Sequence, residues 1–169
     1  GIPELWAPEG WMIDIHAMVN DVAEYVPKLI ALRPHMIIIH AEATGDVKTA
    51  LMQIRQAGIM AGVALLKPTV PRTVEELIKI ADHVMIFSGE LGRFGGTASL
   101  MQLEKIRLIK AINPNVEIGW DGGVAVDNAY SLVQGGVNVL NVGGVIQKSS
   151  DPRTIFSRLQ QEINKTSVL

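Results

Sequence analysis

The chain has 169 residues, enough for one domain with a substantial core, and 48% of them are hydrophobic. The net charge of −2 argues against nucleic acid as a partner, and no stretch reaches the roughly 18 apolar residues of a membrane-spanning helix. The absence of cysteine excludes disulfides and thiolate metal sites, and it fits a cytoplasmic location.

Short β-branched runs alternate with segments of helical periodicity along the chain. They predict strands at 11–16, 36–40, 59–65, 83–88, 116–120 and 138–142. The segments between them predict helices at about 20–32, 46–57, 73–81, 98–112, 126–134 and 152–165. Asp151 followed by Pro152 is typical of a helix N-terminus, and Thr73 with Glu76 is typical of a capping box.

The predicted strands are nearly continuous apolar runs, as in a parallel sheet that is covered on both faces. Six βα units fit either an open doubly wound sheet or part of an eightfold barrel. An open dinucleotide-binding sheet would carry glycines after its first strand, and the turn at 17–20 has none. Because the glycine-rich turns follow the last three strands, we predict a single α/β domain over 1–169, of the parallel (β/α)₈ TIM-barrel type, with about six units.

Histidines lie at both ends of the predicted strands, and the C-terminal ends carry the chemistry in such barrels. His16 and His40 close their strands and are candidate metal ligands, with a hydrogen-bonded structural role as the alternative. His35 and His83 open their strands, which predicts surface or capping roles. Asp14 shares a strand face with His16 and is expected to satisfy that layer.

Asp121 is the strongest candidate carboxylate, because it ends the fifth strand and Gly122 and Gly123 follow it directly. It could bind a metal, move a proton or bond the N–H groups of the turn, and the paired glycines favour a function. Glu42 is a weaker candidate just past the second strand.

Close-set glycines occur in three consecutive βα loops, and their backbone N–H groups predict a phosphate cradle, with plain tight turns as the alternative. These glycines are Gly89, Gly92, Gly95, Gly96, Gly122, Gly123, Gly143 and Gly144.

Three other features have simpler interpretations. Lys67 ends the third strand and could form a Schiff base, but a solvated loop lysine is the simpler interpretation. The cluster of Lys105 and Arg107 predicts a solvated helix face, and Trp6 and Trp11 are expected to be packing residues.

Six motifs across essentially the whole chain resemble those of ribulose-phosphate 3-epimerases, in the same order and with similar spacing. They are Asp14-Ile15-His16-Ala17-Met18-Val19, Ile39-His40-Ala41-Glu42-Ala43, the segment 58–65, Phe94-Gly95-Gly96, Trp120-Asp121-Gly122-Gly123 and Gly143-Gly144-Val145-Ile146. Each motif alone is weak evidence, whereas six collinear motifs are specific.

The resemblance implies an isomerase that inverts C3 of a phosphorylated ketose, in which a divalent metal polarises the carbonyl and two aspartates transfer the proton. It implies that His16 and Asp121 bind the metal (Zn²⁺, Fe²⁺ or Mn²⁺), and that Asp121 is also one of the catalytic carboxylates. Met18 and His40 are then expected to line the substrate. The amides implied to hold the phosphate are those around Gly95, Gly96, Gly122, Gly123, Gly143 and Gly144.

The chain also departs from the family pattern. It contains no H-x-D-x-M-D-G-like turn, so its six units are expected to correspond to strands 3–8 of the barrel, without the second aspartate. An incomplete barrel leaves two unpaired edge strands, which predicts a homo-oligomer. The first functional hypothesis is an epimerase-like enzyme whose site is whole only in a longer chain. The second is a non-catalytic or engineered barrel fragment that keeps the phosphate cradle and completes its core by self-association.

Overall fold

The computed structural model describes residues 6–92 and 96–165. Six strands form one parallel sheet, and their order in the sheet is their order along the chain. The strands are β1 Asp14–Ala17, β2 Met36–His40, β3 Met60–Leu65, β4 His83–Phe87, β5 Glu117–Asp121 and β6 Val139–Asn141.

Helices follow every strand, as the alternating pattern predicts. The α-helices are α1 Val22–Ala31, α2 Val47–Gln56, α3 Glu75–Ile80, α4 Glu104–Ile112, α5 Val126–Gln134, α6 Gly144–Gln147 and α7 Pro152–Ile163. Short 3₁₀ turns at Pro71–Val74 and Leu100–Leu103 take up the first part of two predicted helices, and the short α6 was not predicted. In the described ranges, none of these helices combines the length and apolar character that crossing a bilayer requires.

The helix starts test two sequence signals. Asp151 caps α7 as predicted, since its carboxylate accepts a hydrogen bond from the backbone N–H of Thr154 at 3.0 Å. The predicted capping box at Thr73 is wrong, because Thr73 belongs to a 3₁₀ turn and α3 begins only at Glu75. The hydroxyl of Thr73 donates to the carbonyl of Val70 at 2.8 Å instead.

Two apolar clusters lie on opposite faces of the sheet, because side chains alternate along each strand. The larger cluster packs the sheet against the helices and contains Ile37, Ile39, Val63 and Trp120, each with no exposed surface. The smaller cluster lies on the other face and consists of Met36, Ile38, Ala64 and Met85, with Met60 packed against it.

The sheet curls about this second face. In a flat sheet with strands about 4.8 Å apart, β1 and β5 would be separated by roughly 19 Å. Yet Nδ1 of His16 on β1 lies 2.8 Å from Oδ2 of Asp121 on β5. The second face is therefore concave, and the predicted fold class, an incomplete barrel of about six βα units, is confirmed. In the described sheet β1 and β6 are the two edges.

The prediction that Trp6 and Trp11 are packing residues is wrong. Their side chains are 84% and 73% exposed. Both precede β1, and so they lie outside the alternating strand pattern that buries Trp120.

Candidate functional site

A histidine and an aspartate meet at the C-terminal end of the sheet, on its concave face. His16 comes from β1 and Asp121 from the last position of β5, and their side chains are 12% and 27% exposed. The 2.8 Å contact between Nδ1 and Oδ2 orients the carboxylate and leaves its other oxygen uncommitted to this bond. The strand-end rule therefore brought these two predicted residues together.

His40 continues this contact on the other side of the His16 ring. The Nε2 atoms of the two rings lie 2.9 Å apart, and Phe87 packs edge-on against both rings. One of the two nitrogens must donate and the other must accept. If Nδ1–H of His16 donates to Asp121, a neutral His16 accepts at Nε2, and His40 is the donor.

Glu42 ends this row of side chains. Its Oε2 lies 3.4 Å from Nδ1 of His40, a contact without hydrogen-bond geometry. Its Oε1 accepts hydrogen bonds from the backbone N–H of Leu66, at 3.0 Å, and from the hydroxyl of Thr69. Burial raises the pKa of Glu42, but the interactions with His40, Thr69 and Leu66 outweigh it and leave the pKa below its usual range.

A cavity of about 760 Å³ opens beside Asp121. Met18 and Asp121 line it, whereas His16 and His40 lie behind Asp121 and outside the lining. Asp121 and Lys148 are the charged residues among those that line it. Its lining also includes Phe87, Asn141 and turns from three loops, with Gly89, Gly92, Gly96, Gly122, Gly123, Gly143 and Gly144. Of the predicted phosphate-binding glycines, Gly95 lies outside the described residues.

The cavity glycines differ in what surrounds them. Gly122 and Gly123 have φ angles of +104° and +72°, and a Cβ there would collide with the backbone N of Gly89 and of Ala98, respectively. These two glycines thus allow the β4 and β5 loops to pack tightly. A Cβ on Gly143 would meet nothing within 4 Å, so the backbone there is open to the cavity.

The histidines that open strands form pairs of their own. His35 is exposed, and its Nδ1 lies 2.8 Å from Oδ1 of Asp14. The surface role predicted for His83 is wrong, because this side chain is 1% exposed and its Nδ1 lies 2.7 Å from Glu117. His83 lies on the concave face, where Gly119 leaves room for its ring.

Lys105 corrects another prediction. It is 8% exposed rather than solvated, and its Nζ donates to the carbonyls of Leu66 and Lys67 at 2.6 and 3.0 Å. The sequence did hold a signal, because Lys105 is four and seven residues from Ile109 and Ile112 and shares their helix face. Lys67 itself is exposed, as its simpler interpretation predicted.

The other cavity residues that the sequence did not single out are Phe87, Asn141 and Lys148. Phe87 and Asn141 are the last residues of their strands, so the rule that selected Asp121 could have found them. Lys148 follows α6, a helix that the sequence did not predict, and it carried no comparable signal.

The predicted metal is supported in donor type but not in donor number. An imidazole nitrogen from His16 and a carboxylate oxygen from Asp121 suit Zn²⁺, Fe²⁺ or Mn²⁺, and a metal site normally has at least three protein ligands. In the part of the chain that the structure describes, no group of three or more His, Asp or Glu side chains is placed to hold an ion. These residues supply part of a site, and the metal stays a prediction.

The fold and the position of the site define a class: a TIM-barrel-type α/β protein with its candidate site at the C-terminal strand ends. Two solved structures share this fold. KGPDC from Streptococcus mutans, in complex with D-ribose 5-phosphate, has a TM-score of 0.71 at 13% identity, over 91% of this chain and 72% of that one. 3-Hexulose-6-phosphate synthase from Salmonella typhimurium has a TM-score of 0.68 at 15% identity, over 89% and 72%. At these identities the likeness shows the fold alone.

Sequence comparison is more specific. The model of the ribulose-phosphate 3 epimerase family matches residues 4–147, and the chain belongs to that family, whose members generally depend on a divalent metal. A ribulose-phosphate 3-epimerase from Helicobacter pylori is 33% identical over 88% of this chain. The enzyme of that name from Aquifex aeolicus is 30% identical over 82% of it. The chain spans 70% and 64% of the length of these two relatives.

Proposed function

We propose that the protein containing this chain inverts C3 of a phosphorylated ketose by proton transfer, with Asp121 as one of two carboxylates. One observation carries the proposal: Asp121 lines the same cavity as the glycine turns after β4, β5 and β6. A sugar phosphate needs both features in one cavity, a base near its carbonyl and donors for its anionic end. The names of the relatives support the same reaction class.

In the proposed chemistry, the Asp121 carboxylate takes the C3 proton. The electron pair of the broken C3–H bond forms the C2–C3 double bond of an enediolate, and the carbonyl oxygen at C2 takes up the negative charge. A proton delivered to the opposite face of C3 then gives the epimer. His16 holds the carboxylate in place through its 2.8 Å contact. The described residues place no second carboxylate in the cavity, so we assign them one half of the transfer.

The other end of the cavity suits the phosphate. Lys148 is the only cationic residue in the described lining, and Gly143 presents backbone with open space in front of it. A phosphate dianion gains from both a cation and backbone N–H groups. We therefore place the phosphate between Lys148 and the glycine turns, and the reacting carbons next to Asp121.

The half-transfer can be tested on the chain itself. A single base removes and returns a proton on one face, so it exchanges C3–H for deuterium without inverting the centre. We expect the purified chain in D₂O, with Zn²⁺ or Mn²⁺ added, to incorporate deuterium at C3 of either ribulose 5-phosphate or its C3 epimer, but not both. Proton NMR of the two sugars measures this directly, with Asp121→Asn as the matched inactive variant.

The outcomes separate the two functional hypotheses. Exchange on one epimer that Asp121→Asn abolishes supports the enzyme. Phosphate binding without exchange on either sugar contradicts it and favours a fragment that retains only the cradle. The unpaired edges β1 and β6 of the described sheet favour self-association under that second proposal. The mass in solution, by light scattering, would then exceed that of one 18.3 kDa chain.

A further inference from the structure

Lys105 is a buried ammonium group that the proposed chemistry does not use. Among the described residues it is the only buried lysine or arginine, and it does not line the cavity. Burial lowers the pKa of Lys105, and the nearby charge of Glu42 opposes that change. A buried charge is costly unless hydrogen bonds satisfy it, so the carbonyls it binds are structurally important.

Those carbonyls belong to the loop that follows β3. Lys105 on α4 binds the carbonyl of Leu66, and Glu42 after β2 binds the N–H of the same residue. Both backbone groups of Leu66 are therefore held by side chains from different elements. The carbonyl of Lys67 and the hydroxyl of Thr69 add a second bond on each side. The loop has little freedom to move while these bonds persist.

The loop in turn holds one end of the row of side chains that reaches Asp121. Glu42 stands 3.4 Å from His40, His40 stands 2.9 Å from His16, and His16 stands 2.8 Å from Asp121. Glu42 stays beside His40 because its other oxygen is bonded to the loop. A shift of the loop would move Glu42 first, and the His40 and His16 rings would follow.

We propose that Lys105 is a positioning residue for the site. It fixes the loop at 66–69, keeps Glu42 beside His40, and so sets the orientation of the two imidazoles behind Asp121. Lys105 touches neither the cavity nor Asp121, and its effect passes through the loop. The reaction that this geometry serves rests on the proposed function, whereas the geometry itself can be tested without it.

The same helix provides a matched control. Lys110 also binds two carbonyls, those of Val116 at 2.7 Å and Pro114 at 3.3 Å. These lie at the start of β5, at the opposite end of the sheet. Lys105→Met and Lys110→Met thus remove the same kind of bond from one helix, and only the first should reach the site.

The test is an NMR measurement of the ring nitrogens of the four histidines in the purified chain. In Lys105→Met we expect the His16 and His40 signals to change more than those of His35 and His83. In Lys110→Met we expect His16 and His40 to stay as in the parent chain. A folded Lys105→Met with unchanged His16 and His40 signals would overturn the proposal.

A milder variant covers the case in which Lys105→Met does not fold. Thr69→Val removes one hydroxyl from the same loop at a half-buried position. It should shift His40 in the same sense but by less, and no shift in this variant also contradicts the proposal. If the C3 exchange is observed, Lys105→Met should lower its kcat about fivefold or more with KM unchanged. Failure of the exchange itself would reject the proposed function and leave the NMR test standing.

Discussion

The two ends of the sheet carry the same kinds of side chain in different settings. At the N-terminal end, His35 meets Asp14 and His83 meets Glu117, and each pair is separate. At the C-terminal end, His16 meets Asp121 and also His40, beside a cavity of about 760 Å³. A histidine–carboxylate pair is therefore not by itself a site. Connection to further groups and an open cavity distinguish the candidate site from the stabilising pairs.

The largest expected effect separates the two ends directly. Asp121→Asn should lower the C3 exchange rate by about 10²-fold or more, because an amide does not accept the proton. Glu117→Gln removes the equivalent charge at the other end and should leave the rate within about threefold of the parent. Proton NMR in D₂O measures both. Equal losses in the two variants would mean that the ends do not differ in function.

The next effect separates packing from ligand binding within the cavity. Gly122→Ala should reduce the free energy of unfolding by about 2–4 kcal/mol, because the residue has a positive φ and its Cβ would collide with the loop after β4. Gly143→Ala should change it by less than about 1 kcal/mol, since its Cβ would meet open space.

Urea unfolding measures both glycine variants, and titration with inorganic phosphate adds the second half of the contrast. We expect Gly143→Ala to weaken phosphate binding while it stays folded. Unaltered binding in that variant would remove Gly143 from the proposed cradle.

Lys148 tests the charge at the phosphate end of the cavity. Lys148→Met should weaken binding of inorganic phosphate about tenfold, because a charge-assisted contact is lost. Lys165→Met is the control, since Lys165 pairs with Glu162 at the end of α7 and does not line the cavity. Isothermal titration at low ionic strength gives both constants. Similar constants for the two variants would argue that backbone groups alone hold the anion.

The smallest effect concerns acid stability. The pKa of Glu42 is lower in the folded protein than in the unfolded chain, so this group stabilises the fold at neutral pH. That contribution disappears as the pH falls from about 4.3, the ordinary glutamate pKa, through the folded value. Glu42→Gln should therefore flatten the pH dependence of unfolding in that range.

A matched variant completes the acid measurement. Glu24→Gln changes a carboxylate on the exposed face of α1, where it pairs with the ammonium group of Lys28 at 3.0 Å. Its pH profile should follow the parent chain, because an exposed pair of this kind contributes little to stability. A Glu42→Gln profile with the parental slope would show that the bonds to the loop at 66–69 do not persist in solution.

The sequence predicts much of this molecule, because its signals are local. Strand-end position identified Asp121 and His16, and periodicity identified six βα units. What it missed depends on contacts between distant segments. His83 is buried because Gly119, on the next strand, leaves room for its ring. Lys105 is buried because two carbonyls after β3 face it, and neither relation is encoded in the residues beside these positions.

The contact between His16 and Asp121 also has a mechanical meaning. Backbone pairing joins each strand only to its neighbours, so β1 is held on one side by β2 and lies free on the other in the described sheet. The side-chain contact spans four strand spacings and closes a ring that the backbone leaves open. Any ligand that gripped both residues would stabilise the curvature of the sheet, by an amount set by its affinity and concentration. Tightness of binding and rigidity of the edge strand would then rise together.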